Sequence, residues 1–208
     1  MPKTVELSQA MSARLCHDLA GSIGAIDSCI DLLGNHNKAI GKKAKELVLE
    51  ESGNLVNRIK FFRSAYGLSS GETDMSIISM TKLLTDFFNN TDVKLKLSFE
   101  EGLIYLESQL AKAVICLVAI VSENISLNGH VNLHISKDQN SPVKLLGSGD
   151  NLQLKDEYIE VLKGEKKKPI NVRNCREHYV NKLCAKKGYI VLVDKKSGSI
   201  EYKLVKKS

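Results

Sequence analysis

The 208-residue sequence lacks several features that mark particular classes of protein. It contains no tryptophan and only three prolines, and aromatic residues make up 5% of the chain. The few aromatic residues are not interleaved with the basic clusters, which argues against a stacking surface for single-stranded nucleic acid. No stretch of about 18 uncharged apolar residues is present, so we expect no transmembrane helix. The first residues, MPKTVELSQ, lack a basic-then-apolar signal pattern, and we expect a cytoplasmic protein.

The five cysteines form no CxxC pair. An odd number without paired spacing argues against a disulfide framework and against a cysteine-based zinc site. A weaker zinc hypothesis stays open, because His130 and His134 share one face of a predicted strand, and Cys175 and His178 have helical i, i+3 spacing. No evident third ligand completes either pair, so we expect no bound metal.

The net charge of +6 is unevenly distributed. Residues 137–208 contain 17 Lys and Arg against 9 Asp and Glu, a charge of +8, which leaves −2 for residues 1–136. A basic C-terminal region fits an acidic protein partner or a nucleic acid, or is simply a solvated surface. A non-enzymatic nucleic-acid-binding module is therefore one alternative, and salt-sensitive DNA binding that survives removal of His17 would favour it.

Two long amphipathic helices are predicted first. The apolar positions of the first recur at steps of three and four, as in coiled coils, and are Cys16, Leu19, Ile23, Ile26, Ile30 and Leu33. The second helix, over residues 39–68, has the same spacing at Val48, Ser52, Leu55, Ile59, Phe62 and Tyr66. One hairpin of this kind leaves apolar residues uncovered, and pairing two hairpins buries them. We therefore expect a homodimeric four-helix bundle through residues 5–68.

The rest of the chain changes character. Helices are predicted over residues 76–90, 107–124, 155–164 and 174–188. Strands are predicted over residues 93–99, 131–136, 143–148, 189–194 and 199–205. This order predicts an α+β layer with helices on one face of a sheet. We assign residues 1–70 to the helical hairpin and residues 71–208 to this second domain.

His17 lies beside the apolar positions of the first helix and is predicted to face outward. The same face continues at steps of four and three through Gly21, Gly24, Ser28 and Asp31. Glycine in a helix interior costs about 1 kcal/mol relative to alanine. A row of small residues beside an imidazole predicts a docking surface, where another molecule approaches the helix backbone. Close helix packing is the alternative explanation of the two glycines.

An exposed imidazole without a neighbouring serine or cysteine nucleophile suits phosphoryl transfer. A neutral ring nitrogen can attack a phosphoryl group, and the phosphoramidate formed is a high-energy donor. Asp18 can accept a hydrogen bond from the other ring nitrogen, and Arg14, at i−3 from the histidine, can contact phosphate oxygens. The residues of the second helix predicted to join the docking surface are Ser52, Leu55 and Val56.

The segment RLCHDLAGSIGAIDSCIDLL, residues 14–33, resembles the phosphoacceptor helix of sensor histidine kinases. It resembles more closely that of alphaproteobacterial cell-cycle histidine phosphotransferases of the ChpT type. The resemblance covers the whole chain, because the predicted elements after residue 75 follow the order of the kinase ATP-binding fold. It implies a dimerisation hairpin followed by a degenerate, Bergerat-type ATPase domain, with His17 as the phosphorylated residue and Asp18 as its acidic neighbour.

Departures from the kinase pattern indicate that ATP chemistry has been lost. Kinases usually have a proline five residues after the histidine, where this sequence has Ser22. They often have a threonine or asparagine four residues after the histidine, where this sequence has Gly21. The asparagine that helps kinases hold magnesium corresponds to Ile120, and GSGD at residues 147–150 does not match the DxGxG motif. Without a magnesium ligand or a phosphate-binding loop, we expect neither ATP binding nor autophosphorylation.

The resemblance implies a phosphorelay. A phospho-aspartate on the receiver domain of a hybrid kinase passes its phosphoryl group to His17, which passes it to the aspartate of a response-regulator receiver. We expect no cofactor on this chain, since the catalytic magnesium belongs to the receiver. A functional ATP-dependent sensor kinase is the alternative enzyme, and ATP binding by the isolated protein would support it.

Overall fold

The structure is a computed structural model and describes residues 3–67, 74–126, 128–164 and 168–207. The helices are α1 (Lys3–Ile30), α2 (Lys38–Tyr66), α3 (Ile77–Phe88), α4 (Ser108–Glu123), α5 (Asp156–Lys163) and α6 (Cys175–Lys186). The strands are β1 (Met75–Ser76), β2 (Lys94–Phe99), β3 (Tyr105–Leu106), β4 (Ile125–Ser126), β5 (His130–Ile135), β6 (Val143–Ser148), β7 (Asn151–Leu152), β8 (Tyr189–Lys196) and β9 (Ser199–Lys206). Each predicted helix and strand is present, and the two-residue strands β1, β3, β4 and β7 are additional.

The first two helices form an antiparallel hairpin. Its turn ends at Asn37, whose side-chain oxygen accepts a hydrogen bond from the backbone N–H of Ala39 at 3.0 Å and caps α2. At the other end, the N–H of Gly67 bonds to the carbonyl oxygen of Arg63 and ends the helix. The segment GLSSGE, residues 67–72, predicts a turn after α2 because of its two glycines. Its part beyond Gly67 and the predicted domain boundary between residues 70 and 71 lie outside the described residues.

The side of α1 that faces α2 differs from the predicted apolar positions. Ser22 is buried, with 8% of its surface exposed, whereas Ile23 and Ile30 are 53% and 50% exposed. Leu19 and Ile26 are half-buried. At 3.6 residues per turn, Ile23 and Ile30 lie about a quarter-turn from Ser22. Within a single chain the six apolar positions therefore do not all face α2, and the prediction that a second hairpin covers the exposed ones stays a prediction.

The second domain is built on a five-stranded sheet with strand order β2-β5-β6-β9-β8. β2 and β5 are parallel, and the other neighbours are antiparallel. Alternate residues face the helices: in β6, Val143 and Leu145 are buried while Lys144 is exposed. The predicted α+β class is confirmed. Within the described ranges, no helix is long and apolar enough to cross a membrane.

The hairpin and the second domain share a core. Phe61 of α2 is fully buried, and its ring stacks on Phe87 of α3 with centroids 3.9 Å apart. Near the start of α1, Leu7 and Met11 pack in a second apolar cluster with Cys175 of α6. Both helices of the hairpin are therefore anchored on the second domain, which holds the middle of α1 against the end of α4.

Candidate functional site

His17 projects from the middle of α1 into solvent, with 79% of its side chain exposed. Its ring nitrogen Nδ1 lies 3.3 Å from Oδ1 of Asp18. When Nδ1 carries the proton, its N–H donates a hydrogen bond to this carboxylate, and Nε2 keeps a free lone pair. The site then presents a nucleophilic nitrogen that an incoming group can reach from solvent.

Asp18 is shielded, with only 14% of its side chain exposed. Its carboxylate also accepts a hydrogen bond at 3.0 Å from Nε of Arg14, one turn earlier on α1. The guanidinium of Arg58, on α2, donates to the backbone carbonyl oxygen of Asp18 at 3.4 Å. The three residues predicted for the chemistry are thus brought together, and Arg58 joins them from the neighbouring helix.

The second side of the Arg14 guanidinium faces the second domain. Its Nη2 lies 2.9 Å from Oε2 of Glu123, the last residue of α4. Both oxygens of Glu123 accept hydrogen bonds from Arg176 of α6, whose side chain is 8% exposed. Burial opposes the charge of Arg176, but the pair with Glu123 outweighs it and raises the pKa of Arg176 above its ordinary value. In the structure Arg14 links two carboxylates, and its predicted contact with phosphate stays a prediction.

The row of small residues after His17 lies exposed along α1. A Cβ on Gly21 or Gly24 would meet no atom of the described residues within 4 Å. The hydroxyl of Ser28 donates to the carbonyl oxygen of Gly24 at 2.8 Å, which folds this side chain back onto the helix. Asp31, also exposed, follows in the turn. Close packing within the described chain therefore does not explain the two glycines.

The three α2 residues predicted to complete the docking surface are placed differently. Ser52 and Leu55 are half-buried, and Val56 is 48% exposed. Val56 and Arg58 are two residues apart and so point to nearly opposite sides of the helix. Because Arg58 is the α2 residue that reaches Asp18, Val56 faces away from the site. A role for these three residues in docking stays a prediction.

Three residues next to the site, Arg58, Glu123 and Arg176, have no counterpart in the sequence-based prediction. Glu123 is 109 residues from Arg14 and 53 from Arg176, so no periodic pattern connects them. Arg58 had one available signal: it lies one turn from Leu55, on the side of α2 that faces α1. Arginine is usually a solvated surface residue, so its position one turn from Leu55 does not by itself identify Arg58 as part of the site.

A cleft of about 420 Å³ adjoins the site between the hairpin and the second domain. Its polar wall contains Arg14, Arg58 and Arg176, and phenylalanines of α2 and α3 line the apolar wall. Ile120, the residue at the expected asparagine position, is 1% exposed inside α4. In the part of the chain that the structure describes, no group of three or more His, Cys, Asp and Glu side chains could hold a metal ion.

Comparison with known proteins starts from the fold, since no family model matches the chain. A solved structure described as a bacterial phosphotransferase matches with a TM-score of 0.83 and 19% identity, over 96% of each chain. The nucleotide-free catalytic domain of histidine kinase ThkA matches with a TM-score of 0.50 and 13% identity, covering 66% of this chain and 96% of that domain. The chain therefore has the fold of a bacterial phosphotransferase related in architecture to histidine kinases.

A particular relative is found by sequence. A protein of Brucella abortus (strain 2308) named protein phosphotransferase ChpT is 21% identical over 187 residues, which is 88% of each chain. The resemblance to ChpT-type phosphotransferases predicted from the segment around His17 is confirmed.

Proposed function

We propose that this chain is a histidine phosphotransferase of a two-component phosphorelay. It accepts a phosphoryl group on His17 from the aspartate of one receiver domain and passes it to the aspartate of a response regulator. The observation that supports this most is the exposed His17 imidazole, whose Nδ1 faces the shielded carboxylate of Asp18. The Brucella relative carries the name protein phosphotransferase, and the bacterial phosphotransferase structure shares the fold.

The chemistry needs one nucleophile from this chain. The Nε2 lone pair of His17 attacks phosphorus, the bond between phosphorus and the donor's aspartyl oxygen breaks, and its electron pair returns to that carboxylate. The phosphoimidazole formed carries positive charge, which the Asp18 carboxylate next to Nδ1 stabilises. The acceptor's aspartate then attacks the same phosphorus and releases neutral imidazole. Magnesium that neutralises the phosphoryl oxygens belongs to the receivers, and this chain needs no nucleotide.

The exposed side of α1 suits the approach of a receiver. The donor aspartate must come within bonding distance of Nε2, so neighbouring side chains on this face have to be short. Gly21, Gly24 and the folded-back Ser28 leave the helix backbone accessible over two turns beyond His17. The charge of +8 on residues 137–208 favours an acidic receiver and increases the association rate more than the affinity.

The proposed function includes a homodimer formed through the apolar side of the hairpin that a single chain leaves uncovered. The large apolar residues exposed on this side are Ile23, Ile30, Leu49, Val56 and Ile59, each at least 42% exposed. Fully burying one such side chain stabilises an assembly by about 1.5–3 kcal/mol. A second hairpin packed here completes a four-helix bundle. The row that begins at Gly21 lies on a different side of α1 and stays free for receivers.

The test is transfer of labelled phosphate. A panel of response-regulator receiver domains is phosphorylated with acetyl [³²P]phosphate, freed of excess donor and mixed with the chain. Label is expected on the wild type and on His36→Gln, the matched control in the exposed turn between the helices, and absent from His17→Gln. Undiminished label on His17→Gln would contradict the proposal. Labelling by ATP alone would favour the sensor-kinase alternative.

A further inference from the structure

We propose that Glu123 of the second domain is a positioning residue for His17, acting through Arg14 and Asp18. Its effect on transfer rests on the proposed function, whereas its effect on the imidazole does not. Glu123 bonds to Arg14 and Arg176, whereas His17 bonds to Asp18, so Glu123 is distinct from the nucleophile and from the acid beside it.

Three consecutive short contacts carry the proposal. Oε2 of Glu123 lies 2.9 Å from Nη2 of Arg14, and Nε of the same guanidinium lies 3.0 Å from the carboxylate of Asp18. Oδ1 of Asp18 lies 3.3 Å from Nδ1 of His17. The planar guanidinium uses different N–H groups for the two carboxylates, so the position of one carboxylate constrains the direction of the other.

Glu123, the residue of this series farthest from His17, is held by a second arginine. Arg176 donates to both oxygens of Glu123, and its guanidinium is buried on α6. Glu123 itself is 43% exposed, but a bidentate contact with a buried guanidinium fixes its carboxylate in position and orientation. By contrast, without Glu123 the Arg14 guanidinium would pair with Asp18 through a single i, i+4 contact within one helix, and one such contact stabilises its geometry only weakly. Glu123 therefore supplies the second anchor that keeps the Arg14 guanidinium against Asp18.

This arrangement gives the second domain a part in phosphoryl transfer without a nucleotide. Nε of Arg14 lies 3.0 Å from both carboxylate oxygens of Asp18, and this contact holds the carboxylate with Oδ1 directed at Nδ1 of His17. A proton held on Nδ1 leaves Nε2 unprotonated and nucleophilic. The domain packed against the hairpin thus selects the reactive tautomer of a histidine that it does not touch.

The first test is a spectroscopic measurement that requires no receiver. ¹⁵N chemical shifts of the imidazole rings report which nitrogen carries the proton, and His36, exposed in the turn, serves as the reference in the same sample. In the wild type, His17 is expected to have more Nδ1–H tautomer than His36. Glu123→Gln and Asp18→Asn should each bring His17 to the tautomer ratio of His36. A ratio unchanged in Glu123→Gln but altered in Asp18→Asn would overturn the proposal.

The second test asks whether Glu123 acts through Asp18. Single-turnover transfer at saturating phosphorylated receiver is measured for Glu123→Gln, Asp18→Asn and the double variant. Glu123→Gln should slow the maximal rate about five- to tenfold with little change in the receiver concentration that gives half of it, and should add nothing in the Asp18→Asn background. Equal slowing in both backgrounds would indicate a merely structural role and overturn the proposal.

Two controls keep these outcomes interpretable. Glu201→Gln changes another carboxylate that bridges two cations, Lys144 and Lys203, far from His17 in sequence and on the sheet, and should leave tautomer ratio and rate unchanged. Arg14→Gln breaks the series while leaving the Glu123–Arg176 pair intact, and should reproduce the tautomer change even if Glu123→Gln folds poorly. A wild type that no receiver labels would contradict the proposed function, and the tautomer measurement would still decide this inference.

Discussion

Nδ1 of His17 lies 3.3 Å from Oδ1 of Asp18, yet 79% of the histidine side chain is exposed against 14% of the aspartate. The reacting ring is open to a partner while the acid that orients it is shielded from water. Shielding strengthens the hydrogen bond between them, because competition from solvent is reduced. The pair therefore combines access for a protein substrate with a fixed orientation of the nucleophile.

Replacing Asp18 by asparagine should slow transfer without affecting assembly. The amide keeps the size of the side chain but removes the negative charge that stabilises phosphoimidazole, and misorienting a nucleophile lowers its rate by about 10- to 100-fold. Rapid-quench measurement with a phosphorylated receiver gives the rate, and light scattering gives the molecular mass. Transfer at the wild-type rate would remove Asp18 from the chemistry.

Gly21→Leu should block receiver docking while leaving the fold intact. Leucine is a better helix former than glycine by about 0.5–1 kcal/mol, and a Cβ here meets no described atom within 4 Å, so the free energy of unfolding should rise slightly. The branched side chain should nevertheless hold a receiver away from His17 and reduce transfer at least about tenfold, as a displacement of the reacting atoms does.

Gly53→Leu is the matched control for this prediction. Gly53 is an exposed glycine of α2, and a Cβ there also meets no described atom within 4 Å. This variant should gain the same helix stability and transfer phosphate normally. Equal transfer by the two leucine variants would show that the glycine row is not the docking surface.

The proposed dimer predicts a change in oligomeric state for Ile23→Lys. Ile23 is 53% exposed, and burying it in a four-helix bundle would leave a lysine ammonium without water. Light scattering should report a dimer for the wild type and a monomer for this variant. Ala25→Lys places the same charge at an exposed position two residues away, on nearly the opposite side of α1, and should stay dimeric. A monomeric wild type would refute the dimer.

Glu177 predicts a pH dependence of stability. Its side chain is 4% exposed, and burial raises its pKa to about 7 from the ordinary 4.5. The folded state therefore keeps its proton over a pH range in which the unfolded chain has lost it. The stability that protonated Glu177 contributes is complete below about pH 4.5 and is lost as the pH rises through about 7.

Glu177→Gln should remove this dependence, because glutamine stays neutral. Its free energy of unfolding in urea should exceed that of the wild type by up to about 3 kcal/mol at pH 8 and approach it near pH 4.5. Glu201→Gln provides the comparison. Glu201 is half-buried on β9, and its hydrogen bonds with Lys144 and Lys203 lower the pKa of its carboxyl, so this variant should not gain stability at high pH. A difference between Glu177→Gln and the wild type that is constant across this pH range would contradict the assignment.

Much of the fold follows from the sequence because its elements are long and strongly patterned. The boundaries of β6, Val143–Ser148, coincide with the prediction, and the helices agree to within a few residues. The two-residue strands are too short for a period of two to be visible. The side of α1 that faces α2 was not predictable from spacing, because steps of three and four fit two adjacent sides of a helix. In the structure Ser22 lies on the buried side of α1 and Ile23 on the exposed side.

The candidate site also contains one part that the sequence predicts and one part that it does not. The link from His17 to Asp18, and from Asp18 to Arg14, is local to one helix, and its spacing can be recognised in the sequence. The link from Arg14 to Glu123 depends on how the second domain packs against the hairpin, a relationship across 109 residues that no local pattern encodes. Sequence therefore predicts the nucleophile and its acid, and only the tertiary structure identifies what holds them.

Locating the transferred phosphate tests the central claim most directly. After transfer from a phosphorylated receiver, the labelled chain is digested with trypsin under alkaline conditions, which preserve phosphohistidine, and the peptide of residues 15–38 is fragmented in a mass spectrometer. That peptide contains both His17 and His36, so its fragment ions distinguish them. We predict a base-stable, acid-labile phosphate on His17. Phosphate on His36 or on any other residue, with His17 unmodified, would contradict the account.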